Sequence, residues 1–291
     1  AAIVVFLVAI PLCLGIAVAS GLSEFSGLIG GIVGGIVVGA LSGSQLSVSG
    51  PAAGLTAIVA AAVLKLPSAE AFFLAVVLAG CFQLLLGIFK LGVIGDYVPN
   101  SVIKGMLAAI GIILILKQLP HLVGYDKNYE GDETFIQLSG ENTFSSVINS
   151  LNFFTPVAVL IGVLGIFILV VYETQWVKSR KIFQIFSGPL VVVIVGIIIT
   201  KLSASVPKAF ALKTDQLVNI PVAHSANEFF SFFRLPDWTQ LANTEVWVTA
   251  ITLALVASLE TLLGLEAIDK LDPMKRVSPT NRELLAQGSG N

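Results

Sequence analysis

The chain has 291 residues, of which 56% are hydrophobic and only 12% charged, with a mean hydropathy of +0.94 and a formal net charge of −2. Soluble domains average about 25% charged residues, so this composition excludes a soluble globular protein and specifies an integral membrane protein with several spans. No basic run supports nucleic-acid binding. No metal-ligand spacing, nucleophile–base motif or phosphate-binding glycine fingerprint points to an enzyme, a cofactor or a bound metal.

The first span is expected over about 1–20, beginning inside an apolar run. It lacks the basic lead-in of a signal peptide and is too long for its apolar region. Pro11 should kink it or break its hydrogen-bond ladder. The second span, about 27–43, holds Gly27, Gly30, Gly31, Gly34, Gly35 and Gly39. Small residues at that spacing let helix backbones approach closely, here within one molecule. Cys13 and Cys81 both lie in apolar runs and read as packed thiols rather than a disulfide.

Ser42 to Leu66 reads differently. Ser42, Ser44, Gln45, Ser47 and Ser49 crowd together, Gly50-Pro51 follows, and the text then turns apolar and small. This pattern predicts an extended lead-in and then a helix over 51–66 with Pro51 at its first position, where a missing N–H costs nothing. At 1.5 Å per residue that helix is about 24 Å long, short of the roughly 30 Å hydrocarbon core. A helix starting inside the bilayer leaves N–H groups open at about residues 52–54, and an anion is their natural partner. An ordinary short helix with a serine-rich cap fits the same text.

Further spans are expected over about 71–89, 102–116, 154–172, 185–199 and 246–265. Between them lie a polar loop at 118–150 that includes His121, a basic turn at 173–181, a long polar and aromatic loop at 201–244 that includes His224, and a polar tail at 266–291. Eight crossings with a cytoplasmic start place the 173–181 turn and the basic residues of 270–282 on the cytoplasmic side, as short-loop positive charge requires. Glu260 falls late in the last apolar run, flanked by Ser258 and Thr261. An ionisable residue within a span faces a cavity or a partner; alternatively the span ends early and Glu260 meets cytoplasmic water. Asp96, Lys104, Ser139, Phe229, Phe230, Phe232 and Phe233 read as loop or interface residues.

Four stretches carry a family resemblance: VAIPLCLGIAVASG at 8–21, SVSGPAAGLTAIV at 47–59, VPNSVIKGMLAAIGIILILKQLPHLVG at 98–124, and VASLETLLGLEAIDKLDPMKRVSPTNRELLAQGSGN at 256–291. In this order they resemble the SulP (sulfate permease) anion transporters. The resemblance implies an all-α polytopic membrane protein of 7+7 inverted-repeat architecture. This chain would then supply the first seven-span repeat plus the eighth span, with a discontinuous third span. Most of the second repeat, including an opposing half-helix, and a C-terminal STAS domain would be missing, and the 291-residue piece alone would not transport. The resemblance also implies secondary active transport of a small inorganic anion, sulfate or bicarbonate, across the inner (plasma) membrane by alternating access. The partners would be the anion, the lipid bilayer and, at full length, a second copy in a homodimer; nucleic acid is not among them.

Carried over by residue, the anion would meet the backbone at Ala52 and Ala53, led in by Ser49, Gly50 and Pro51, with Leu12 and Ile16 lining the pocket from the first span. Glu260, with Ser258 and Thr261 beside it, would couple transport to H⁺ or Na⁺, as a symport. Animal members often carry a glutamine where this chain has Leu12, so one polar side chain is lost and recognition would rest heavily on backbone groups. A nucleobase permease of the same architecture and a non-transporting structural protein are the competing functions.

Overall fold

Backbone groups that meet lipid must be satisfied without water, by a helix or a closed barrel, and continuous apolar runs of this length belong to helices. The computed structural model describes residues 2–97, 99–128, 135–137, 139–178, 188–203, 212, 216–217, 222–223 and 225–291. These residues are helical or irregular, with one isolated bridge between Ile136 and Asn142. The helices are α1 (Ala2–Ala19), α2 (Glu24–Leu41), α3 (Thr56–Lys65), α4 (Ala69–Ile88), α5 (Asn100–Leu122), α6 (Thr143–Ser150), α7 (Pro156–Glu173), α8 (Gln175–Lys178), α9 (Gly188–Ser203), α10 (Ala226–Ser231), α11 (Thr244–Leu271) and α12 (Thr280–Gly290). Four of them, α2, α4, α7 and α11, are long and apolar enough to cross a membrane.

Several boundaries differ from expectation. α1 is not one of them: it runs through Pro11 over the span expected for it, and the proline forfeits its own hydrogen bond within the helix. α5 runs to Leu122, with Pro120 accommodated in its last turn. The expected polar loop at 118–150 contains α6, whose start is fixed by a capping box between Asn142 and Ser145. The tail expected to be merely polar contains α12, which buries Glu283, Leu284, Ala286 and Gly288. Cys13 is buried, but Cys81 is exposed on α4 rather than packed. Arg180, Lys181, residues 185–187 at the expected start of the seventh span, and His224 lie outside the described residues.

Contacts divide the chain into two units. One comprises mainly Cys13–Gly111 and Ile220–Asn291; the other comprises Ala1–Leu12, Ile112–Glu130 and Thr134–Asn219. In the second, α7 packs on α9, where a Cβ added at Gly165 would sit 3.1 Å from Val192 Cγ1. In the same unit, Tyr125 donates a 2.7 Å hydrogen bond to Glu141, and the His121 ring pairs with Asp126.

The first unit is built on α4. Its core is small and aliphatic: Ala71, Leu74 and Ala75 of α4 and Val246 and Ala250 of α11 are fully buried. α12 lies on another part of α4 at backbone distance. A Cβ at Gly80 would come within 2.8 Å of Gly288 O, and one at Gly288 within 2.8 Å of Gly80 O. The glycines of α2 serve the same end. A Cβ at Gly27 would collide with Cys13 O, and one at Gly31 would lie 2.9 Å from Cys13 Sγ. Phe25 gathers Phe229, Phe232 and Phe233 at ring-centroid distances of 5.8, 5.0 and 5.2 Å, so the aromatic loop is pinned to the start of α2.

Candidate functional site

Residues 42–52 are not helical, and no continuous helix runs through 47–66. The helix does not open at Pro51 as expected. It opens two residues later with a 3₁₀ turn, Ala53–Leu55, and becomes α-helical at Thr56. Leu55 N–H donates to Ala52 O at 3.1 Å, so the first turn is tightened and Pro51 belongs to the lead-in. The lead-in lies directly on α2. A Cβ at Gly34 would stand 2.4 Å from Ser49 O, and one at Gly30 would stand 3.3 Å from Pro51 Cγ. Gly34 opens a π-helical turn, Gly34–Val38, whose widened backbone faces the same segment.

The helix start opens on a cavity of about 410 Å³ within this unit. Its walls are Gly30 to Val38 on α2, the lead-in from Ser47 to Ala52, Gln83 on α4, Ala257 to Ile268 on α11, and Gln287 to Asn291 at the end of α12. Glu260 is the one ionisable residue among the described lining residues. Its carboxylate reaches the helix start: a Cβ at Gly54 would lie 2.6 Å from Oε1 and 3.2 Å from Cδ. A negative group there is favoured by the half positive charge of a helix N-terminus. Gly54 is therefore the residue whose missing side chain admits the carboxylate.

The expected site residues separate into groups. Ser49, Gly50, Pro51, Ala52, Glu260 and Thr261 line the cavity, and Ala53 opens the helical turn beside it. Ser258 is not among the lining residues; it is buried at the edge of the same face of α11, where its Oγ accepts at 3.3 Å from Nε2 of Gln83, which does line the cavity. Leu12 and Ile16 are not among the lining residues. Ile16 is buried, and Leu12 is 37% exposed and belongs to the other unit.

Three carboxamides at the site escaped the sequence reading: Gln83, Gln287 and Asn291. Asn291 Nδ2 donates to Gln83 Oε1 at 2.6 Å, and Gln287 Nε2 lies 2.8 Å from Ser49 Oγ. A signal was available. Glu283, Gln287 and Asn291 recur every fourth residue in RELLAQGSGN, which puts them on one face of a helix. Gln83 stands alone in the apolar run LAGCFQLLLG, and nothing local marks it as part of a site.

Past the cavity-lining residues, the C-terminal end of α11 is locked. Asp272 accepts from Met274 N, Arg276 N and Arg276 Nε, the last at 2.6 Å, and Arg276 in turn donates to Gln45 of the lead-in. The Arg276 guanidinium, joined by the two backbone N–H groups and opposed by burial, holds the Asp272 carboxyl at about 2. Asp269 caps the same turn through Ser278 N and Oγ, both at 2.7 Å.

The chain has relatives among known proteins. The chain is 28% identical to the putative sulfate transporter YvdB of Bacillus subtilis, over 100% of this chain and 50% of that protein. It is 24% identical to the bicarbonate transporter BicA of Picosynechococcus sp., over 98% of this chain and 47% of that protein. The chain thus spans about half the length of these relatives, which are transporters rather than enzymes. The solved transmembrane domain of a cyanobacterial bicarbonate transporter BicA shares the fold, with a TM-score of 0.63 and 23% identity, over 99% of this chain and 68% of that one. A family model described as the sulfate permease family matches residues 1–291, and the chain belongs to that family.

Proposed function

We propose that the protein carrying this chain is a secondary transporter of a small inorganic anion, sulfate or bicarbonate, that works by alternating access. The observation that carries the reading is the short helix at Ala53 that opens on a cavity whose wall includes Ser49, Gln83, Glu260, Thr261 and Gln287. Leu55 N–H is taken by Ala52 O, and the N–H groups of Ala53 and Gly54 are left outside the helix ladder at the end that opens on the cavity. The helix dipole adds roughly half a positive charge in the same direction. The anion is held against Ala52 and Ala53, with Ser49, Gly50 and Pro51 beside it. The names of the relatives, sulfate and bicarbonate transporters, support this class of substrate.

Glu260 then acts as the coupling group. Its carboxylate occupies the same positive end that the anion needs. Two unit negative charges about 5 Å apart repel by about 3 kcal/mol at an effective dielectric constant of 20. A proton or a sodium ion on Glu260 removes that repulsion, so anion and cation bind best together, as a symport requires. Thr261, which also lines the cavity, supplies a hydroxyl oxygen beside the carboxylate.

The test is uptake of labelled sulfate and bicarbonate by vesicles containing the full-length protein, with and without a sodium gradient and across pH. Uptake of either anion that rises with one cation gradient is expected. Competition by uracil with no response to either anion would replace this reading with nucleobase transport.

A further inference from the structure

The recognition chemistry at the helix start need not be left to backbone groups alone. Glu283 of α12 is 1% exposed and accepts at both of its oxygens. Ser42 Oγ donates to Oε2, and Gln287 Nε2 donates to Oε1 at 3.3 Å. A carboxylate can only accept, so the end of the Gln287 amide that faces it must be the NH₂. That orientation also sets Nε2 2.8 Å from Ser49 Oγ, with Oε1 at 3.1 Å. The second amide hydrogen is then donated to Ser49 Oγ, which is thereby used as an acceptor. The Ser49 proton is left to be donated onward.

We propose that Glu283 and Gln287 are positioning residues that set the direction of this hydrogen-bond chain, so that the Ser49 hydroxyl donates into the cavity. The proposal rests on the anion-transport reading above. Ser49 lines the cavity, and its proton has two acceptors to choose between: the neutral Gln287 Oε1 and the bound anion. A charged acceptor forms the shorter and stronger bond, so the anion takes the proton's direction. The same two residues tie both ends of the lead-in, Ser42 and Ser49, to one face of α12. Replacing the carboxylate by an amide removes the rule that fixes Gln287, because an amide can present either end. Gln287 can then turn over, and Ser49 loses its fixed role as a donor.

The experiment uses the full-length protein in vesicles and measures initial uptake of labelled bicarbonate and of labelled sulfate against concentration. Ser49→Ala and Glu283→Gln should each raise KM about 10-fold for the anion taken up, the worth of one hydrogen bond to a charged group, with kcat within about twofold. The double variant should match Ser49→Ala alone, because both changes remove the same bond. Ser49→Thr, which keeps the hydroxyl, should stay near the wild-type KM. If Glu283→Gln fails to insert, Gln287→Met takes its place with the same expected rise and the same non-additivity. A wild-type KM in Ser49→Ala, or KM effects that multiply in the double variant, would overturn the relay while leaving anion transport standing. Wild-type vesicles that take up neither anion would overturn the transport reading and the relay with it.

Discussion

Gly34 and Gly35 are neighbours in sequence with opposite surroundings, and substituting each by alanine measures how tightly the lead-in is pressed against α2. A Cβ at Gly34 would lie 2.4 Å from Ser49 O, 2.7 Å from Ser49 C and 3.0 Å from Gly50 N. Ordinary contact begins near 3.4 Å, so the lead-in must retreat by about 1 Å. The atoms in the way are backbone, and no side-chain rotation relieves them. Overpacking of this kind costs typically 1–3 kcal/mol, and alanine recovers about 1 kcal/mol of helix propensity over glycine. Taking the upper part of the clash range, Gly34→Ala should destabilise the protein by about 2 kcal/mol, a fall in Tm of roughly 5 °C. A Cβ at Gly35 meets nothing within 4 Å, so Gly35→Ala should be neutral or stabilising by up to about 1 kcal/mol. Thermal unfolding of the detergent-purified proteins reads the first effect. Anion uptake reads the second: displacement of Ser49 and Gly50 should raise KM about 10- to 100-fold in Gly34→Ala, the worth of a hydrogen bond to a charged group. Equal stability of the two variants, or an unchanged KM in Gly34→Ala, would show that the lead-in is not held where this contact puts it.

Three further outcomes follow from the same geometry. Glu260→Gln should weaken cation-coupled uptake while membrane insertion is retained; the same uptake as wild type at every pH and sodium level would remove Glu260 from the mechanism. Ala53→Asp places a fixed negative charge at the turn that opens the helix, and should lower anion affinity at least 100-fold, since repulsion of about 3 kcal/mol replaces attraction; retained affinity in competition uptake would count against the site. The Asp272–Arg276 latch concerns acid. The folded-state value of Asp272, about 2, is below its ordinary 3.8, so the carboxylate's stabilising contribution is fully present above about 3.8 and is lost as pH falls through 2. Carbon NMR of the labelled carboxyl should give a midpoint near 2, moving toward 3.8 in Arg276→Gln; a wild-type midpoint at 3.8 would dissolve the latch.

Composition by itself determined the solvent of this protein. In lipid a backbone is satisfied as helices or as a closed barrel, and apolar runs that are continuous rather than alternating, bounded by Pro, Gly and charge, mark most of the helices. The break before the third helix was legible too, because five polar residues and Gly50-Pro51 cannot continue a membrane helix. Its first residue was not legible: proline tolerates the N1 position, but the approach of Pro51 to Gly30 holds it in the lead-in, and the turn starts at Ala53. α12 was misjudged because hydropathy measures transfer from water, whereas Glu283, Gln287 and Asn291 are satisfied by Ser42, Ser49 and Gln83, residues roughly 200 to 240 positions away. Local sequence fixes which backbone groups a helix leaves open. Which distant side chains are brought to them is decided only when glycines at 34, 80 and 288 let the helices and the lead-in close to backbone distance and Gly54 leaves room for the Glu260 carboxylate.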